Sequence, residues 1–330
     1  MSAIQESAAS GMQQDLLKTI DRVAEAHCPK AARESAEAGE WPAALWRELD
    51  NVGLVRAALP ESAGGPGLDF GDAMVALRRT AYHALPVPLA ETMIAGRMLL
   101  AAGLDVPEGA LTVTADGKRV PWGAQCAHVV VIGDDDVGLA EEPEVKLVEK
   151  NLAGEPRVQL GIAKSKRKRF PGARERLLLE GALLRSVQMS GALERALAYA
   201  LGYANERVQF VRPIGKFQAV QHMLALLAGQ AAAASAIADA AVEASAQAPD
   251  EFTIAAAKAR VGEAAGKGAE IAHQVHGAMG FTREHNLHYV TRRLWSWRDE
   301  FGNESHWQMR LGRMVAAKGA DALWPMLTGN

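Results

Sequence analysis

Cysteine is nearly absent: Cys28 and Cys126 are the only two in 330 residues. They lie far apart, match no metal-ligand spacing, and read as buried thiols of a protein kept in a reducing compartment. An excess of charge of either sign is missing too. Lysine and arginine total 36 against 39 aspartates and glutamates, a formal charge of -3. Such balance gives no general reason to expect nucleic acid or a membrane surface as partner. No segment holds 18 uninterrupted apolar residues, and "MSAIQESAASGMQQDLLKTI" has neither the basic start nor the apolar run of a signal peptide. The expectation is a cytoplasmic protein without membrane insertion. What is present is an ordinary globular composition, 49% hydrophobic and 23% charged, long enough for two or three domains.

Three textures follow one another along the chain. Residues 1–105 read as an all-helical domain. "QQDLLKTIDRVAEAH" places Leu16, Ile20 and Val23 on one helical stripe. "EWPAALWRELDNVGL" has Pro42 suited to a first turn and Gly53 to a stop. Residues 106–179 change to short runs read as strands between turn residues, mostly β-branched-rich, as in "ALTVTADGKRVPWG" and "AHVVVIGDD", with the leucine-rich "RERLLLE" the last of them. The Asp-Gly of "ADGK" signals a tight hairpin, and "KSKRKR" (164–169) a solvated one. Residues 180–330 are helical again. Leu183, Val187, Leu193, Leu197, Leu201 and Ala204 keep a stripe, and the alanine-rich stretch after it favours close helix packing. Asp250 is placed as an N-cap and Gly277 as a stop. The fold class is α+β, mainly α: a helical N-terminal domain, a reduced middle β domain and a C-terminal four-helix bundle.

Inside the last region "RVQFVRPIGKFQAVQH" (207–222) breaks a good helix and crowds the break with long hydrogen-bonding side chains. A plain bundle core needs none of them, whereas a bound phosphate or amide would. With "ALPESAGGPGL" (58–68) before it and "QVHGAMGFTREHNL" (274–287) after it, this segment resembles the acyl-CoA dehydrogenase family over nearly the whole chain. The most specific element is Arg-x-x-Phe-x-x-Pro-Ile-Gly-x-Phe-Gln. The resemblance implies an FAD-dependent desaturation of an acyl-CoA thioester, with electron-transfer flavoprotein as electron acceptor. It implies that Arg207 pairs with the FAD pyrophosphate of a neighbouring subunit, as suits a planar cation with several donors. Phe210 and Gln218 match positions against the adenosine half, and Gln274 and Gly277 positions that approach the cofactor from the third motif. Gln221 and His222 read as a helix-surface pair that needs no ligand.

The same resemblance exposes a gap. The family base is a buried carboxylate that removes the α proton. Gapless counting puts Phe301 at its usual position, and a benzyl group accepts no proton. Glu300 and Glu304 stand nearby, but a one-residue shift turns a helical side chain by about 100°. Relatives that carry the base elsewhere would place it at Gly181, next to Glu180, which is the weak catalytic candidate. No loop between 105 and 180 matches the family segment that covers the flavin, and Trp122 is the only tryptophan there. Both losses fit the short subunit of a heteromeric, steroid side-chain type enzyme, a homo- or heterotetramer in which a full-length subunit supplies base and pocket. A self-sufficient homomeric enzyme using Glu180 or Glu300, and a catalytically inactive structural homologue, are the alternatives.

Overall fold

The computed structural model describes residues 3–162 and 164–328. The chain opens with five helices: α1 (Ala3–His27), α2 (Lys30–Ala38), α3 (Ala43–Asn51), α4 (Phe70–Tyr82) and α5 (Leu89–Ala101). The α1 stripe lands where its period requires, with Ile20 and Val23 buried and Leu16 packed beside them. α4 starts at Asp69, whose carboxylate accepts from the Asp72 N–H at 2.7 Å.

The middle of the chain forms two small sheets. β1 (Leu111–Thr114), β3 (His128–Ile132), β4 (Asp136–Glu141) and β7 (Lys164–Arg169) make one, in the order β1-β3-β4-β7. β2 (Val120–Pro121), β6 (Pro156–Gly161) and β5 (Glu144–Lys150) make the other. Two expectations change here. Asp116-Gly117 does not close a hairpin, because β1 pairs in parallel with β3 while β2 pairs with β6. Gly117 instead has φ 75°, and its carbonyl accepts from the Leu160 N–H at 2.7 Å. A Cβ there would meet the Leu160 carbonyl oxygen at 2.5 Å, so only glycine lets the two segments touch. The run 174–180, expected as strand, is helix. It has no β-branched residue, and its Arg176 pairs with Glu180 one turn on, which favours helix.

That helix, α6 (Ala173–Glu206), is the spine of the bundle, with α7 (Gln218–Ala244) and α8 (Glu251–His276) packed along it. α9 (Leu287–Asp299), α10 (Glu304–Lys318) and α11 (Leu323–Thr328) follow. Asp250 caps α8 by accepting from the Thr253 N–H at 2.9 Å, and Gly277 ends it. The small-residue stripe decides the packing. Ala196, Ala200 and Ala204 are buried, whereas Leu201, placed on the stripe by its period, is 43% exposed. Alanine lets the helix axes come close and leaves a leucine one position further on no room. α7 is the one described helix long and apolar enough to cross a membrane by composition, and much of its surface stays uncovered by this chain.

Candidate functional site

Two separate places collect the polar residues singled out in the sequence. The first is one end of the bundle. α6, α7 and α8 are joined by short connections, so the C-terminal ends of α6 and α8 and the N-terminal end of α7 lie together. Tyr203 of α6 stacks on His276 of α8, with ring centroids 4.7 Å apart. The break in the helix is a two-residue hairpin, β8 (Val208–Gln209) and β9 (Arg212–Pro213), closed at its foot by the Ile214 N–H donating to the Arg207 carbonyl at 2.8 Å. Arg207, Phe210, Gln218, Gln274 and Gly277 are all exposed there. The Arg207 guanidinium has no side-chain partner among the described residues. Gly277 adopts φ 59° and ψ -142°, a region open essentially to glycine, with nothing within 4 Å of where its Cβ would sit. Gln221 and His222 join Gln218 in lining an open hollow of about 620 Å³.

An arginine with free donors, the positive N-terminus of a 27-residue helix and bare backbone at a glycine form a donor set suited to a diphosphate. These residues fit the dinucleotide half of FAD. They would hold its phosphates and adenosine, with Arg207 as the cation and Gln218 and Gln274 as amide partners.

The second place is a cleft of about 680 Å³ between the β domain and the bundle, walled by Val113–Asp116 at the end of β1, Leu177, Leu178, Trp295 and Phe301. Its floor is ionic. Glu300 accepts from Arg157 at 2.5 Å and from Arg185 Nε at 2.8 Å, and Arg185 also pairs with Glu91. Glu155 joins Arg157 to Arg293, at 3.5 and 3.1 Å. Three carboxylates and three guanidiniums therefore neutralise one another where solvent barely reaches, which is the condition for burying charge at all. Burial pushes the Glu300 carboxyl up, but the charges and hydrogen bonds of Arg157 and Arg185 outweigh it and hold it at about 2. A carboxylate so acidic is a poor proton acceptor near neutral pH.

The turn after α9 sets what faces the cleft. Phe301 takes φ 54° and Gly302 φ 89°. Lys258, fully buried, donates to the Arg298 carbonyl at 2.7 Å and the Gly302 carbonyl at 2.6 Å, and the Trp307 indole donates to the Phe301 carbonyl at 3.0 Å. Held this way, the Phe301 ring lies on the bare backbone of Gly181: a Cβ built on Gly181 would overlap the ring. The two positions that the family resemblance assigns to a base thus meet at one point, and neither carries a carboxylate. Glu180, on the next helical azimuth, is buried with one oxygen on Arg97 at 3.0 Å and the other on Arg176 at 2.8 Å. Glu304 accepts from Arg298 at 2.5 Å. Asp299 borders the cleft, exposed and without an ion partner among the described residues.

Of the aromatics near the last motif, Trp295 and Phe301 border the cleft, while Trp297 and Trp307 are core. Trp122 is buried against Trp41, with ring centroids 5.9 Å apart, and does not border the cleft. The β1 end and the Arg157–Arg185–Glu91 network were not singled out from the sequence. The available signal was charge on apolar helices, Glu91 in "LAETMIAGRMLL" and Arg185 in "GALLRSVQMSGAL", since such charges must find partners.

Comparison with known proteins shows the family and the fold. Residues 10–106 match the acyl-CoA dehydrogenase N-terminal domain and residues 171–302 the acyl-CoA dehydrogenase C-terminal domain. The acyl-CoA dehydrogenase IpdE2 of Mycolicibacterium smegmatis is 30% identical over 288 residues, 84% of this chain and 90% of that protein. IpdE2 of Mycobacterium tuberculosis is 30% identical over 85% of this chain and 90% of its own length. Among solved structures, the Tcur3481–Tcur3483 steroid ACAD variant superposes with a TM-score of 0.84 at 24% identity, over 94% of this chain and 99% of that one. The ChsE4–ChsE5 complex from Mycobacterium tuberculosis superposes with a TM-score of 0.80 at 22% identity, over 93% and 98%. The chain belongs to the acyl-CoA dehydrogenase family, FAD-dependent oxidoreductases that act on acyl-CoA thioesters.

Proposed function

We propose that this chain is the subunit of a heteromeric acyl-CoA dehydrogenase that lends FAD contacts to a catalytic partner and performs no α-proton abstraction in its own cleft. The observation that carries the reading is the Phe301 ring seated on Gly181, where either family position would have brought a carboxylate. Glu180 and Glu300 do not substitute, because each is already held by two arginines. The residues suited to a dinucleotide are meanwhile all presented outward at the bundle end.

FAD bound there would serve as hydride acceptor for the β carbon of an acyl-CoA. The work of this chain is binding: Arg207 neutralises phosphate charge, Gln218 and Gln274 supply amide hydrogen bonds, and Gly277 lets backbone approach. One structural neighbour is described as the ChsE4–ChsE5 complex and another, named Tcur3481–Tcur3483, as a steroid ACAD. They favour a heteromeric assembly and a steroid-type acyl group; a full-length partner subunit and an electron-transfer flavoprotein as electron acceptor complete the proposal.

The direct test is the flavin-to-chain ratio and acyl-CoA:dye reductase activity of the chain purified alone and after co-expression with a full-length relative encoded beside it. Little flavin and no turnover alone, with both gained in the complex, are expected. Full flavin loading and turnover from the isolated chain would overturn the reading. The unpaired Asp299 supplies a specific check on a self-sufficient enzyme: Asp299→Asn would abolish any activity that the isolated chain shows.

A further inference from the structure

The tip of the hairpin is built against its own local preferences. A two-residue loop between twisted strands takes positive φ at both central positions, and Asn-Gly is the usual occupant. Here the occupants are Phe210, at φ 50°, and Val211, at φ 68°. A β-branched side chain in that region is a genuine outlier, because its two γ carbons crowd the backbone. Packing among the described residues does not hold Val211 there: it is 99% exposed, and its neighbour Phe210, 85% exposed, touches only the edge of Phe217, ring centroids 6.2 Å apart. Strain of this kind persists where something outside the local sequence repays it.

We infer that the Val211 side chain is a partner-selecting contact: it enters an apolar socket on the polypeptide that carries the flavin dinucleotide. The inference rests on the functional reading above and names a residue which that reading does not use. Two observations choose the occupant. The tip is continuous with the face formed by Arg207 and Gln218, so whatever covers that face reaches the tip. The segment also carries Arg207, Arg212 and Lys216 against Glu206. Two copies meeting hairpin to hairpin would oppose these cations, whereas a partner bearing a bound diphosphate complements them.

Val211→Gly and Val211→Asn both suit the backbone and remove the apolar knob; Val211→Ile keeps the knob. In the isolated chain the first two should raise the melting temperature, as the strain is released. In the complex with the co-expressed full-length subunit they should weaken subunit affinity about tenfold, with Val211→Ile unchanged. Affinity within about twofold of the wild type for the Gly and Asn variants would overturn the inference. A change in self-association of the isolated chain, with none in the complex, would assign the tip to a second copy and overturn it as well. Arg207→Ala separates this from the underlying reading: if it leaves FAD retention of the complex unaltered, the cofactor role of the face fails, whatever Val211 does.

Discussion

At the scale of single residues, Glu300 shows how a carboxylate next to a catalytic position comes to do structural work. Its two guanidinium partners fix its charge, and it in turn neutralises them. Glu300→Gln should leave Arg157 and Arg185 short of an anion in a buried setting and destabilise the fold by roughly 3–5 kcal/mol in urea titration. The sign of its pH effect follows from its held-down pKa. Folded, the group titrates at about 2 against 4.5 for the free side chain, so its contribution is present above pH 4.5 and is lost as pH falls through 2.

Helices and the turns between them set a second response to acid. His273 and His276 of α8, His285 of the following loop and His288 of α9 are all held below the ordinary imidazole range, first by burial and then, for three of them, by neighbouring histidines or cations. His285 is the extreme, at about 4 instead of 6.5, with His276 4.4 Å away ring to ring. The unfolded chain takes up more protons in that interval, so stability should fall as pH drops from 6.5 to 4. His285→Gln should flatten the slope of melting temperature against pH over that window. The contact between α6 and the turn after α9 makes its own prediction. Gly181→Ala should cost about 1–3 kcal/mol by overpacking Phe301, and Phe301→Ala should cancel most of that penalty in a double-mutant cycle. Independence of the two substitutions would show that the ring does not sit on Gly181.

Across the whole molecule, polar residues divide between two ends of one spine. The cleft end of α6 is filled by an internally neutral ion network, while the far end offers free donors and exposed apolar side chains. This division is what the proposed assembly with a catalytic partner requires. Arg207→Ala should reduce FAD retention in the assembled enzyme about tenfold or more while leaving the melting temperature of the isolated chain unchanged, because its guanidinium has no hydrogen-bond or ion-pair partner among the described residues. Loss of stability in the isolated variant would contradict that separation.

Much of this was legible in the residues themselves. An amphipathic stripe placed α1, Pro42 and Gly53 bracketed α3, Asp250 and Gly277 marked the ends of α8, and the Arg207–Gln218 segment carried the resemblance to the family and, with it, the cofactor. These are local signals, written in spacings of three or four residues and in the chemistry of caps and breaks. The strand expected at 174–180 and the hairpin expected at Asp116-Gly117 failed for the complementary reason. Short apolar runs and turn dipeptides are ambiguous until long-range pairing chooses between their outcomes. Tertiary structure alone brought Phe301 onto Gly181, gathered Glu91, Arg157, Arg185 and Glu300 from four segments, and left Val211 outside. Proximity between distant segments is decided by how whole elements pack, and no periodicity in the chain records it.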